Sequence, residues 1–236
     1  MKKLVLSLLV MAIGLTLSAQ KTINDPNVEI REASNFHAIK ISNAFDVYLT
    51  QGDQESVAVS ASDPKYRENI KVEVKSGVLI VRYDNQGKWQ TGNKKLKAYI
   101  SFKQLNSLDV SGACDVMIVD TWNAEDLKVD MSGASNLKGN LNARKVWVDL
   151  SGASDMTLNG KVDQLDVEAS GASDFKGFDL VTEYCNARAS GASDIKVTVN
   201  KELSATASGA SDVKYKGSGL IRDIKSSGAS SISRRS

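Results

Sequence analysis

The sequence predicts an all-β fold: a right-handed parallel β-solenoid of 18–21-residue coils, preceded by a less regular β region. Two observations carry this. A Ser-Gly-Ala-Ser-Asp segment recurs about every 20 residues, and apolar residues alternate with polar ones on both sides of each copy. A fixed period of this length marks a solenoid, in which each repeat finds its core by stacking on its neighbours.

The first element is Met1 to Ala19, MKKLVLSLLVMAIGLTLSA, with two lysines, an uncharged apolar stretch and small residues before a cut after Ala19. It reads as a cleavable signal for export, leaving a 217-residue chain that begins at Gln20. No cysteine follows the cut, since the two cysteines are Cys114 and Cys185, so a lipoprotein is not expected. No later stretch approaches the roughly 18 apolar residues of a membrane span, and no long alternating series with aromatic girdles suggests a membrane barrel. A protein soluble after export is expected, in the periplasm, at the cell surface or outside the cell. Without Lys2 and Lys3 the 30 basic residues fall to 28, equal to the 28 acidic ones. That balance gives no bulk attraction to nucleic acid or to an anionic membrane.

Residues 20–27 read as a flexible mature N-terminus and 28–236 as one domain. Only Pro26 and Pro64 interrupt it, and neither lies in a Pro-rich linker. Within the domain, 28–110 reads as irregular coils or as hairpins that cap the rod. Its alternating runs SVAVSAS, IKVEV, GVLIVRY and LKAYISF are separated by turn-forming stretches. An open solenoid end exposes unpaired backbone and core, so some cap over the first coil is expected.

The regular array occupies 111–231. Its copies begin at Ser111, Ser132, Ser151, Ser170, Ser190, Ser208 and Ser227, spaced 21, 19, 19, 20, 18 and 19 residues apart. An eighth copy lies upstream at Ser42-Asn-Ala-Phe-Asp46. With the first serine of each copy counted as zero, apolar residues fall at odd positions: Val146, Val148 and Leu150 before Ser151, then Met156 and Leu158 after it. Period 2 means strand, with odd positions inward. The glycine and second serine are also odd, which predicts an inward row of small residues and a bend or bulge there. Serines stacked at about 4.8 Å can hydrogen-bond along their columns, and six steps make a rod of roughly 29 Å. Stretches such as TWNAED from Thr121 and GFDLVTE from Gly177 read as loops that absorb differences in repeat length.

These segments give the chain a resemblance to a known family. FHAIKISNAFDVYLTQGDQESVAVSAS, NIKVEVKSGVLIVRY and SLDVSGACDV are similar to the head GIN domain of auto-transporter adhesins, over most of 28–231. The resemblance implies an exported β-helical domain, often surface-associated, with an adhesive role and no catalytic residues. No membrane barrel is expected within the sequence to Ser236, so self-transport is not expected either.

Outward positions carry the candidate chemistry. Position +4 holds Asp46, Asp115, Asn136, Asp155, Asp174, Asp194, Asp212 and Ser231; position −2 holds Asp109, Asp130, Asp149 and Glu168, then Arg188. Two unit charges 4.8 Å apart repel by about 0.9 kcal/mol even at the dielectric constant of water. The +4 aspartates are therefore expected to bond backbone amides at the glycine bend, with Lys138, Lys176, Lys196 and Lys214 at +6 supplying charge. The column of Asp109, Asp130, Asp149 and Glu168 is the better candidate for weak calcium sites, because lysine does not flank it uniformly. No known calcium-loop pattern is present, and no other cofactor is implied.

Trp147 falls at an outward position with Lys128 one coil before it and Asp166 one coil after, where an indole could stack on a sugar ring; Trp89 and Trp122 read as loop residues. His37, the sole histidine, falls at the inward position −5 and reads as a core or cap residue. The repeated serines and aspartates have no unique base or orienting partner. Cys114 and Cys185 lie about four coils, or 19 Å, apart, beyond the roughly 7 Å Cα separation of a disulfide, so two buried free thiols are expected. The functional expectation is a non-enzymatic, adhesin-like binding module of the cell envelope, contacting a glycan or a surface protein. The alternatives are a purely structural solenoid and a polysaccharide-active enzyme.

Overall fold

The computed structural model describes residues 25–85 and 93–235. The chain forms a parallel β-solenoid of about seven turns with coils of about 19 residues. The early strands are β1 (Glu29–Arg31), β2 (Ala38–Ile41), β3 (Phe45–Gln51), β4 (Ser56–Ser60), β5 (Ile70–Lys75), β6 (Val78–Tyr83), β7 (Leu96–Phe102) and β8 (Ser107–Val110). A single helical turn, α1 (Pro64–Arg67), follows β4, with Asp63 as its N-cap. The regular strands are β9 (Asp115–Met131), β10 (Asn136–Leu150), β11 (Asp155–Ala169), β12 (Asp174–Ala189) and β13 (Asp194–Ala207). The last are β14 (Asp212–Lys216), β15 (Leu220–Ser226) and β16 (Ser231–Arg234).

Strands β9 to β13 pair in parallel with the motifs in register, so Asp115, Asn136, Asp155, Asp174, Asp194, Asp212 and Ser231 form one column. The upstream copy belongs to the same stack, with Asp46 opposite Asp115. Inward columns run as the alternation requires: Ile39, Leu108, Val129, Val148, Val167, Ala187 and Ala205 are all buried. The stretches expected to be loops are strand. TWNAED lies inside β9 and GFDLVTE inside β12, and the extra residues are taken up as register shifts, such as that between Gly177 and Val181. A bulge keeps most backbone bonds of the ladder, which a loop would give up to water.

The motif bends as expected, but glycine does not point inward. Gly112, Gly133, Gly152, Gly171, Gly191 and Gly209 are exposed, and each has φ between 74° and 94°. Strand alternation stops at the first serine and resumes at the second, so parity counted through the motif misplaces the glycine between them. Asn43 occupies the equivalent place upstream with φ 88°, a left-handed conformation that asparagine tolerates better than other side chains. The bend amides are satisfied by the preceding coil: Ala172 N–H donates to the Gly152 carbonyl at 2.7 Å and Ala192 N–H to that of Gly171 at 2.7 Å.

The second serines from Ser135 to Ser211 are buried, and their hydroxyls bond backbone groups instead of one another, the pairing expected along the column. Ser193 Oγ lies 2.8 Å from the Ser190 carbonyl and 2.9 Å from that of Ala169, and accepts from Ser190 N–H at 3.2 Å. Cys114 replaces this serine in the first full copy, its Sγ lying 3.5 Å from the Ser111 carbonyl. Cys185 fills the core column of Val146, Leu165 and Leu203. Both thiols are free and buried, in separate coils.

Residues 28–110 prove to be coils and cap together. β2, β3, β7 and β8 join the parallel stack, while β4 runs antiparallel to β7 and β1, and β5 antiparallel to β6. His37 departs from expectation: it is exposed and Phe36 is buried in its place. β2 begins only at Ala38, so the period-2 rule does not yet hold at position −5. Trp122 also departs, lying in β9 at 1 % exposure with its ring 5.2 Å from that of Phe102. Trp89 falls outside the described residues.

Candidate functional site: an outward strand face

The strand preceding each motif carries one flat outward face, and the ladder register fixes its columns. Lys128, Trp147, Asp166 and Asn186 stand in one column, as parity predicts. Trp147 is 36 % exposed, with Lys145 Nζ 4.2 Å from its ring centroid. Asp166 accepts from Asn186 Nδ2 at 3.0 Å, on the side away from Trp147.

A second exposed ring shares this face. Tyr184 follows Lys145 and Gln164 in the adjoining outward column and is 41 % exposed, with Lys201 Nζ 5.5 Å from its ring. It stands two coils and one outward position from Trp147, about 12 Å by strand spacing and rise, with Gln164 and Asp166 between them. Position −6 is even, so the parity count that found Trp147 also reaches Tyr184.

The acidic column is assembled as expected: Lys40, Asp109, Asp130, Asp149, Glu168 and Arg188 stand in register. Cations close both of its ends, with Lys40 Nζ 2.5 Å from Asp109 and Arg188 Nε 3.3 Å from Glu168. Lys128 Nζ pairs with Asp130 at 2.9 Å, which raises the lysine's pKa. Asp149 lies between two acids, and desolvation first, then Glu168 and Asp130, raise its carboxyl pKa. Among the described residues, no group of three or more acidic, histidine or cysteine side chains is placed to hold a metal ion.

Asp155, Asp174, Asp194 and Asp212 of the +4 column pair with lysine, while Asp115 accepts from Asn136 Nδ2 at 2.7 Å. Lys176 Nζ lies 2.8 Å from Asp155 and 3.3 Å from Asp174, and Lys214 Nζ lies 2.9 Å from Asp212 and 3.5 Å from Asp194. The bend amides are instead taken by carbonyls of the preceding coil, the bonds a parallel stack supplies at every step. His37 is remote in sequence from the aromatic face, and the second-serine hydroxyls are engaged with backbone carbonyls. Two surface recesses lie elsewhere. One of about 440 Å³ is lined by Glu29, Arg31, Glu68 and Arg82 among others; one of about 610 Å³ by Lys216, Gly217, Arg234 and Arg235.

Fold and surface together define a β-solenoid domain with a patterned, flat outward face. The chain belongs to the family described as "Putative auto-transporter adhesin, head GIN domain", whose model matches residues 35–219. Among solved structures, it is similar to "a putative adhesin (BF0245)" from Bacteroides fragilis at 23 % identity and a TM-score of 0.83, covering 88 % of this chain and 96 % of that one. A "putative adhesin" from Parabacteroides distasonis matches at 20 % identity and a TM-score of 0.72, covering 89 % and 96 %. A "Putative lipid binding protein" from the same species matches at 21 % and 0.65, covering 90 % and 98 %. These likenesses establish the fold. The curated proteins give no match. No described helix is long and apolar enough to cross a membrane.

Proposed function

We propose that this chain is a non-enzymatic binding module of the bacterial envelope, exported by Met1 to Ala19 without lipidation, that contacts a glycan through the face bearing Trp147. The observation that carries this reading is the pair of exposed rings, Trp147 and Tyr184, on one flat sheet with Gln164 and Asp166 between them. Sugars offer apolar ring faces for stacking and hydroxyls for carboxylates and amides, and this face supplies both kinds of group. Its rigidity, set by the ladder beneath, limits the entropy lost on binding.

A glycan and matrix-protein binding screen with the purified chain, run with calcium and with chelator, tests the reading. Trp147→Ala and Tyr184→Ala are each expected to weaken glycan binding about tenfold while leaving the fold intact, the scale of one aromatic contact. Loss of binding in chelator, reproduced by Asp130→Asn with Asp149→Asn, would assign those carboxylates a calcium-mediated role. Retention of no glycan, or retention indifferent to both aromatic substitutions, would overturn the reading in favour of a structural element. Turnover of a polysaccharide would overturn it in favour of an enzyme.

A further inference from the structure

The two ends of the solenoid are built differently. At the first end β1 runs antiparallel to β4 and β5 antiparallel to β6, each paired along one edge. At the other end β15 pairs only with β13 and β16 only with β14, so among the described residues both have a bare edge. Ile221 and Ile224 continue the core columns of Leu203 and Ala205. They are 48 % and 40 % exposed, because no described coil follows to cover them. Unpaired backbone beside open core is a template for another strand.

We propose that this end is an interface between two copies of the chain, with β15 of one protomer pairing antiparallel with β15 of its partner about Ile224. The inference goes beyond the glycan-binding reading and does not depend on it. A twofold axis through Ile224 keeps inward side chains inward, so the two cores meet end to end. It sets Ile224 opposite its own copy, and Asp223 of each protomer opposite Lys225 of the other. Both charged residues flank Ile224 on the outward side, where Lys225 Nζ already lies 2.6 Å from Asp223. Centring the pair one residue earlier would put Asp223 against Asp223; one residue later, Lys225 against Lys225. Like charges directly opposite are unfavourable, so charge selects the register about Ile224. A twofold pairing uses the same edge on both copies, so it closes as a dimer and does not propagate into a head-to-tail fibre.

Sedimentation of the purified chain over a range of concentrations tests this, with circular dichroism on every variant to confirm the fold. The expected result is a monomer–dimer equilibrium weakened about tenfold by Asp223→Lys or Lys225→Asp alone, each of which sets two like-charge pairs across the interface. The combined variant Asp223→Lys with Lys225→Asp recreates both opposite-charge pairs and is expected to restore the dimer. A chain that stays monomeric at every concentration would overturn the proposal. So would a dimer indifferent to the single changes, or one that the combined change does not restore.

Discussion

Gly171 stands so close over Gly152 that a Cβ on Gly171 would lie 2.5 Å from the Gly152 carbonyl oxygen. That oxygen also accepts the Ala172 amide at 2.7 Å, so the neighbour cannot retreat without breaking a bond of the bend. Gly171 has φ 74°, which costs an L-residue roughly 1–2 kcal/mol before any clash. Gly171→Ala is therefore expected to destabilise the chain by at least about 2 kcal/mol, as a lower urea midpoint. The neighbouring Ala172 is exposed and carries no such constraint, so Ala172→Ser should change the midpoint by under about 0.5 kcal/mol.

The second-serine column predicts which exchange is mild and which costly. Cys114 places its sulfur where the other copies place a hydroxyl, 3.5 Å from the Ser111 carbonyl. Cys114→Ser should stay within about 1 kcal/mol of the parent, since it restores the donor used by the other coils. Ser193→Ala removes the partner of Ser190 N–H and a donor to buried carbonyls, and should cost about 1–3 kcal/mol. Burial raises the pKa of both thiols. A thiol reagent should therefore label neither Cys114 nor Cys185 until denaturant unfolds the coils, which a time course of labelling against denaturant checks.

What could be read from the sequence follows from how far the period-2 rule holds. Within β9 to β13 it placed Trp147, Asp149 and the core columns correctly, because each regular coil repeats its neighbour's backbone path. It failed where the backbone leaves extended geometry: at the motif glycines, whose positive φ breaks parity, and at His37, just before β2 begins. Trp122 was misplaced because TWNAED has the polarity of a loop, while its indole fills the space beside Phe102. The antiparallel pairing of β1, β4 and β5 depends on contacts between unlike segments, which no internal repeat encodes. Tyr184 falls at an even, outward position that parity reaches, whereas the bare edge of β15 depends on which coils lie beside it.

The two acidic columns predict opposite responses to pH. The Asp212 carboxyl is held below its ordinary range, first by Lys214 and then by the Ser231 hydroxyl. A depressed carboxylate adds stability above its unfolded pKa and loses it as pH falls through the folded value. Asp149 is raised by desolvation and by Glu168 and Asp130. Its ionised form therefore costs stability at neutral pH, and that cost disappears as acid protonates it in the fold. Asp149→Asn should accordingly stabilise the chain at pH 7 by about 0.5 kcal/mol, the scale of like charges on paired strands. Below the carboxylate's unfolded range the gain should vanish, whereas Asp212→Asn should destabilise at pH 7 and become neutral in acid. Urea midpoints of the three chains at pH 7 and near pH 3 give the comparison, and added salt should shrink both effects because both columns face water. A gain for Asp149→Asn that persists unchanged at low pH would locate its origin in packing and remove the electrostatic account of this column.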